Sequence, residues 1–303
     1  MCSARSALVA VVAIGASLLG SDARSQDFDS VDIQTTQLAE RIYMLVGAGG
    51  NIAVSAGDDG VFLVDDQFAP LTEKIRAAIT ALSERPVRFV INTHLHGDHT
   101  GGNENFGKAG SVIIAHDSVR QRMSVRQFLS AFNREVAPAP PAALPVITFN
   151  DTVTLHLNGE AVTVSHVPPA HTDGDAIVHF TGSDVVHMGD LVRSSSYPFV
   201  DLDSGGSIEG MITATDRGLA IAGENTKIIP GHGSLMDRSQ LLEYRSMLVV
   251  LQDRVRAAIA EGKSVEELIA ENPLADLEAR WGGRGPEYTE QTLRIFYSDL
   301  SGS

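Results

Sequence analysis

The chain has 303 residues, 43% of them hydrophobic and 20% charged, with a formal net charge of −15. That length and apolar content are enough for one large or two small domains with full cores, and they exclude a disordered chain. The acidic balance argues against a nucleic-acid partner, because such surfaces gather Lys and Arg on one face.

Residues 1–25 read as an export leader. Arg5 is the charged start, Ala7 to Gly20 a short apolar stretch, and Ala23-Arg24-Ser25 a small-residue cleavage site. The apolar run is short for a bilayer span. The mature chain, residues 26–303, is therefore expected to be secreted or periplasmic, with no membrane contact after cleavage. Cys2 is the only cysteine and falls in the leader. The mature chain then has no thiol for a disulfide, a nucleophile or a metal.

Residues 36–65 read as a three-strand meander, Leu38–Val46, Asn51–Ala56 and Val61–Val64, broken by glycine-rich turns. Leu71, Ile75, Ala78, Ile79 and Leu82 follow a helical period, and Pro86 opens the next segment. An apolar strand covers 87–92, a second strand Ser111–Ala115, and a surface helix is expected from Asp117 to Phe132. Pro138 to Pro145 reads as a linker. A second β-rich series follows: Thr152–Leu157, Ala161–Val167, Ala176–Phe180 and Asp184–His187. Ser207 is a predicted N-cap for a helix that Gly223 stops, and Lys227–Ile229 is a short strand. Helices fill the chain from about residue 239, with a capping box at Ser264 and Glu267 and a last helix over Thr289–Leu300. Two similar β-rich halves with covering helices predict an α/β fold, a four-layer αββα sandwich, with a site where the halves meet.

The chemistry concentrates at His94-Leu95-His96-Gly97-Asp98-His99, directly after the strand 87–92. In an extended chain His94, His96 and Asp98 share a face; His99 joins them only if the chain turns, which Gly97 and Gly101-Gly102 make cheap. Imidazoles with one hard carboxylate suit Zn²⁺ or Fe²⁺ rather than Ca²⁺ or Mg²⁺. Read without function, the stretch is only a solvated histidine-rich loop. Three further stretches end apolar runs beside Gly or Pro: His171 in Ala170-His171-Thr172-Asp173-Gly174-Asp175, Asp190 in Gly189-Asp190-Leu191, and His232 in Pro230-Gly231-His232-Gly233.

In this order and spacing the motifs resemble the metallo-β-lactamase superfamily. The resemblance covers about residues 36–250 and implies the αββα fold. It also implies two metal ions, Zn²⁺ with iron or manganese as alternatives. His94, His96 and His171 would hold one ion, Asp98, His99 and His232 the other, and Asp190 would bridge them. Asp98 would also orient the nucleophile. Asp65, at a strand end, is a candidate to support the 94–99 loop or one of its imidazoles; its plainer role is a turn carboxylate. The stretch Gly189-Asp190-Leu191-Val192-Arg193-Ser194 is similar to the Gly-Cys-Leu-Val-Lys-Ser of the cysteine-ligand β-lactamases, with Asp190 in place of their Cys. Arg193 would then grip a substrate carboxylate, as the Lys there does. Unlike in those enzymes, the loop at the position of the hydrophobic flap is only Gly47–Gly50.

The resemblance implies hydrolysis of an activated cyclic amide or ester in a small-molecule substrate. A lactonase, a glyoxalase II-like thioester hydrolase and a mononuclear-iron persulfide dioxygenase are the competing activities, and a metal-holding protein without turnover the competing class. Asp173 and Asp175 are candidates to orient His171, and Tyr197 and Phe199 to line the pocket. His116, His156, His166, His179 and His187 are read as structural.

Overall fold

The computed structural model describes residues 27–302, so the leader read in residues 1–25 lies outside the described residues. The first sheet has seven strands in the order β1-β2-β3-β4-β5-β6-β9. They are β1 (Gln34–Gln37), β2 (Ile42–Val46), β3 (Ile52–Gly57), β4 (Gly60–Val64), β5 (Val87–Ile91), β6 (Val112–His116) and β9 (Ile147–Phe149). β1 to β4 form an antiparallel meander, whereas β4, β5, β6 and β9 run parallel. A two-stranded hairpin, β7 (Gln127–Leu129) and β8 (Arg134–Val136), projects between β6 and β9 in sequence. The second sheet has the order β10-β11-β12-β13-β14: β10 (Thr152–Leu157), β11 (Glu160–His166), β12 (Ala176–Phe180), β13 (Val185–His187) and β14 (Lys227–Ile229). Its last pair, β13 and β14, is parallel.

The sheets face one another through Met44, Phe62, Ile91 and Ile114 on one side and Val162, Val178, Phe180 and Ile229 on the other. Alternate residues of each strand supply this layer, as the two-residue period requires, and the Phe62 and Phe180 rings stack across it at 6.1 Å. Helices close both outer faces. On the first sheet lie α1 (Thr72–Thr80), α3 (Asn103–Lys108) and α4 (Asp117–Met123), with Ile75, Ile79 and Phe106 packed against Val54 and Leu63, while the single turn α2 (Gly97–Thr100) sits at the rim. On the second lie α5 (Ile208–Ile221), α6 (Arg238–Ala260), α7 (Val265–Ala270), α8 (Glu278–Trp281) and α9 (Pro286–Ser301), which bury Met211, Leu241, Leu248 and Phe296 against Ile177, Val186 and Ile228. The result is the predicted four-layer sandwich. Among the described residues no helix is long and apolar enough to cross a membrane.

The helix ends follow local chemistry. Ser207 accepts a hydrogen bond from Gly210 N at the start of α5, and Ser264 and Glu267 form a reciprocal capping box at the start of α7.

Three sequence expectations need correction. The first predicted strand, Leu38–Val46, is shorter than expected: residues 38–41 form a turn, only Ile42–Val46 is strand (β2), and the strand before it, β1 (Gln34–Gln37), is not among those expected. The helix expected over 117–132 ends at Met123, and the chain turns back as the hairpin β7–β8, with Asn133 in the left-handed region at φ 45°. Val125 and Phe128 suit a strand better than a helix, and Asn tolerates positive φ. Nor is the Pro-rich stretch 138–145 a linker between halves: Asn103 Nδ2 donates to Ala143 O at 3.0 Å, and β9, beyond it, completes the first sheet.

Candidate metal centre

The site occupies one rim of the sandwich, beyond the C-terminal ends of β4, β5, β13 and β14, where open α/β sheets place their ligand sites. Parallel pairing puts Val64 beside Ile91 and His187 beside Ile229, so four loops leave the sheets together. They carry Asp65, residues 93–99, Asp190 and His232. A fifth loop, between β11 and β12, adds His171. Two groups tie the halves together below the site. Asn51 donates from its backbone to Gly231 O at 2.7 Å and from Nδ2 to Pro230 O and Gly233 O, each at 2.9 Å. His187 Nε2 in turn donates to Asn51 O at 2.9 Å.

All seven sequence-predicted donors meet here. The donor atoms of His94, His96 and His171 lie within 4.8 Å of one another, as do those of Asp98, His99 and His232. A third group, His94, His99 and Asp190, links the two. Asp190 Oδ1 is 3.1 Å from His99 Nε2 and 3.3 Å from His232 Nε2, while its Oδ2 is 3.9 Å from His171 Nε2. The single extended face drawn through His94, His96 and Asp98 is not what forms. The chain turns into α2 at Gly97, which carries Asp98 and His99 away toward His232.

Four of the five imidazoles are held by their other nitrogen. His99 Nδ1 donates to Asp65 Oδ2 at 2.7 Å, His171 Nδ1 to Phe199 O at 2.8 Å, and His96 Nε2 to Asp201 Oδ2 at 2.8 Å. Asp65 also accepts from Thr93 N at 2.8 Å and from Thr93 Oγ1 at 2.7 Å, and Thr93 Oγ1 in turn lies 3.0 Å from His94 Nδ1. With its proton committed to Asp65, the threonine oxygen accepts from His94 Nδ1. Lone pairs are thus left at His94 Nε2, His96 Nδ1 and His171 Nε2, all turned inward, and His99 Nε2 joins them once its proton is released. This is how metal-binding histidines are fixed in tautomer and orientation.

Glycines make the close approach feasible. A Cβ on Gly50 would overlap the His99 ring, and one on Gly231 would overlap Asp190 Oδ1.

The donor set fits divalent cations. His94 Nε2 is buried with no hydrogen-bond partner, and neither has Asp190 Oδ1, despite its two neighbouring imidazoles. Burial pushes the His94 pKa well below its ordinary value, and that of His171 to about 3. Both are therefore neutral donors at physiological pH. Burial works against charge on His99 too, but Asp190, Asp98 and Asp65 outweigh it and raise its pKa well above the usual value. Burial alone would raise Asp190; Arg193, then His232 and His99, reverse this and hold its carboxylate well below the usual range. In the metal-free protein, protonated His99 and the Arg193 guanidinium thus balance carboxylates that a metal would otherwise neutralise, and metal binding would release the His99 proton.

The other expectations are met only in part: Asp175 and Phe199 lie where they were expected, whereas Asp173 and Tyr197 have other partners. Arg193 is buried and its Nη2 donates to Asp190 Oδ2 at 2.7 Å. Asp175 accepts from Thr172 N at 2.8 Å and Thr172 Oγ1 at 2.6 Å, closing the turn that presents His171; burial raises its carboxyl pKa to about 7. Asp173 binds Arg122 bidentately, at 2.7 Å for each contact. Phe199 packs beside His96 and His171, whereas Tyr197 is fully buried and its hydroxyl donates to Glu278. Among the described residues none of His116, His156, His166, His179 and His187 joins a donor group.

A cavity of about 340 Å³ opens over the cluster. Phe68, Leu129 and Phe199 form its apolar wall, and Arg134, Arg193, Arg284 and Tyr288 its polar one. Sequence reasoning missed Asp201, Asn51, Arg134, Arg284 and Tyr288. Asn51 and Arg284 do stand beside glycines, but neither carries a ligating group, and the last three arrive from the hairpin and the C-terminal segment.

Fold and site together define a metallohydrolase-type α/β sandwich with a His/Asp centre at its rim. Residues 46–245 match the family model of the metallo-beta-lactamase superfamily, and the chain belongs to that family. It is 24% identical to a metallo-beta-lactamase type 2 from Bacillus cereus over 190 residues, 62% of this chain and 69% of the relative. A metallo-beta-lactamase type 2 from Bacteroides fragilis is 21% identical over 233 residues, covering 73% and 86%. Among solved structures, a metallo-beta-lactamase from Pontibacter korlensis superposes with a TM-score of 0.58 at 19% identity, over 72% of this chain and 99% of that one. The inverting sec-alkylsulfatase Pisa1 from Pseudomonas sp. gives 0.65 at 17% identity, over 88% of this chain and 50% of that one. At these identities the structural matches establish the fold alone.

Proposed function

We propose that this protein is an exported, dinuclear zinc hydrolase that opens an activated cyclic amide or ester, with β-lactamase-like character and low β-lactam efficiency. The observation that carries this reading is the pair of donor groups on either side of Asp190, with the opposite nitrogens of His94, His96, His99 and His171 already committed. His94, His96 and His171 would hold one ion, Asp98, His99 and His232 the other, and Asp190 would lie between them. Imidazole with carboxylate suits Zn²⁺ and tolerates iron or manganese. When bound, such ions supply Lewis acidity and lower the pKa of water enough to give a nucleophile near neutral pH.

The chain's own residues do the rest. Asp98 is the more accessible of the two cluster carboxylates, its side chain 29% exposed against 3% for Asp190. Burial would neutralise it, but His99 and His232 keep it ionised, its pKa well below the usual range. As an anion at the cavity floor it accepts a hydrogen bond from the attacking water and orients it. The hydroxyl goes to the acyl carbon and the remaining proton passes through Asp98 to the leaving nitrogen or oxygen, so that the ring opens to an acid. Phe199 and Phe68 shield one side of the reacting group from water. Arg193, which donates Nη2 to Asp190, would grip a substrate carboxylate. Export is supported by the leader-like residues 1–25 and a mature sequence without thiols. It is tested by N-terminal sequencing of the protein recovered from a periplasmic fraction.

A second reading is a sulfate-ester hydrolase, favoured by the three arginines that line the cavity. The deciding experiment is a panel of cephalosporin, penicillin, carbapenem, homoserine lactone, lactoylglutathione and a secondary alkyl sulfate, each with and without chelator. Chelator-sensitive opening of a β-lactam supports the first reading. Turnover of only the sulfate, the lactone or the thioester replaces it.

A further inference from the structure

A second cavity, of about 220 Å³, lies between the hairpin β7–β8 and residues 95–104. Leu95, Met123, Leu129, Val136, Ala139 and Ala143 give it an apolar lining. The polar groups around it are engaged within the protein. Arg122 pairs with Asp173 at 2.7 Å and Glu104 with Lys108 at 2.6 Å. Thr100 Oγ1 donates to His96 O at 3.1 Å, and Gln127 Nε2 to Arg126 O at 3.2 Å. Arg134 is exposed and can turn its charge to solvent. The space is many times what one water needs, and a cavity walled in this way suits hydrocarbon rather than water. The roof is anchored. Asp203 accepts from Ser130 N at 2.6 Å and from Ser130 Oγ at 2.7 Å, and Gln291 Nε2 donates to Ala131 O at 2.9 Å, so the hairpin tip is held from outside. Ala139 N donates to Met123 O at 2.8 Å and closes the far end.

This cavity adjoins the metal cavity. His96, Gly97, Leu129 and Arg134 line both. Leu129 and Arg134 are cross-strand partners, so one pair forms the partition on the hairpin side. Facing them is Gly97, where an added Cβ would meet no atom within 4 Å. The partition therefore has free space at Gly97, and a chain fixed at the metal centre can pass there. The glycine-rich turn 47–50 lines neither cavity, so on this rim the hairpin supplies the apolar wall.

We propose that the cavity under the hairpin holds an aliphatic arm of the substrate, an unbranched chain of several carbons that enters over Gly97 while the scissile group lies at the donor cluster. The hairpin then makes the enzyme select substrates that carry such a chain. For turnover this rests on the hydrolase reading; for binding of the chain it does not.

The test titrates the protein calorimetrically with the n-alkanols from ethanol to decanol, probes that need no metal. In the wild type the affinity should rise about fourfold per methylene until the chain fills the cavity, and then level off. Ala139→Leu and Val136→Phe fill the cavity from different segments, and both positions are only half-buried. Each should flatten the series, so that the longer alkanols lose most of their advantage. An affinity independent of chain length in the wild type, or fillers that follow the wild-type series, overturns the proposal. Should either filler fail to fold, a wild-type crystal soaked in hexanol decides: density in this cavity supports the proposal, and density elsewhere or none overturns it. The zinc-loaded protein is then given p-nitrophenyl esters from acetate to decanoate. KM should fall with chain length in the wild type and far less in the fillers. A KM that ignores chain length, beside alkanols that do bind, overturns the assignment to the substrate. If no ester is hydrolysed but the alkanol pattern holds, the hydrolase reading fails and the chain site stands.

Discussion

Replacing Asp65 by Asn probes how the protein prepares its imidazoles. The side chain is fully buried and accepts three hydrogen bonds, from Thr93 N, Thr93 Oγ1 and His99 Nδ1. Asn keeps one acceptor, which Thr93 N retains, and turns an NH₂ toward the other two partners. His99 must then lose its Nδ1 proton and carry it on Nε2, the nitrogen needed for metal. The Thr93 hydroxyl, no longer donating to Asp65, turns its proton to His94 Nδ1 and moves the His94 proton to Nε2 as well. One carboxylate therefore controls an imidazole in each donor group. The backbone tolerates the change, since Asp65 has φ 64° and Asn is as much at ease there as Asp. Loss of such a supporting carboxylate costs about 10–100-fold in metal affinity, or roughly 1.4–2.7 kcal/mol, and here it should fall on both ions. The assay is competition for zinc against a chromophoric chelator. Thr93→Val is the control: it cuts only the branch to His94 and should weaken one ion. Wild-type affinity for both ions in Asp65→Asn would refute the tautomer argument.

Three further outcomes follow from the same geometry. Asp201→Asn disturbs His96 alone, so the affinity of one ion should fall about tenfold while the Asp98–His99–His232 group keeps its own, read by the same competition assay. Gly50→Ala puts a methyl into a His99 ring that Asp65 holds in place; it should cost about 1–3 kcal/mol by urea unfolding and lower metal stoichiometry by mass spectrometry. His187 is buried and neutral, its pKa lowered by desolvation. As pH falls below about 6.5 the unfolded chain takes up a proton that the folded one refuses, so His187 costs the wild type stability on acidification. Urea melts of metal-free protein at pH 7.5, 6.5 and 5.5 should show the gap between wild type and His187→Gln narrowing; a widening gap would reverse the sign.

The parts of this site that the sequence announces are those built locally. Residues 94–99 carry their ligands next to a strand whose apolar run is unmistakable, and His171, Asp190 and His232 each stand at a strand end beside Gly or Pro. Alternation and capping chemistry likewise place β10 to β14 and the starts of α5 and α7. What the sequence hides depends on partners far away. Asp201 meets His96 across 105 positions of sequence, and nothing in Phe199-Val200-Asp201-Leu202-Asp203 distinguishes it from its neighbour Asp203. Asn51 matters through three hydrogen bonds to the loop 230–233, invisible in a glycine-rich turn. The hairpin over 127–136 is hard to read because five charged or polar residues in Asp117–Met123 set up a helical pattern that only Ser124 and Val125 interrupt. The cavity wall escaped for the same reason: Arg134 and Arg284 are ordinary exposed arginines until the fold brings them over the metal centre.

The central claim is that two ions held on either side of Asp190 act together in hydrolysis. It is tested most directly by adding zinc stepwise to metal-free protein and following turnover of a chromogenic cephalosporin at each step. The account predicts activity that saturates at two equivalents of zinc per chain. Full activity at one equivalent, or none at any, would contradict it.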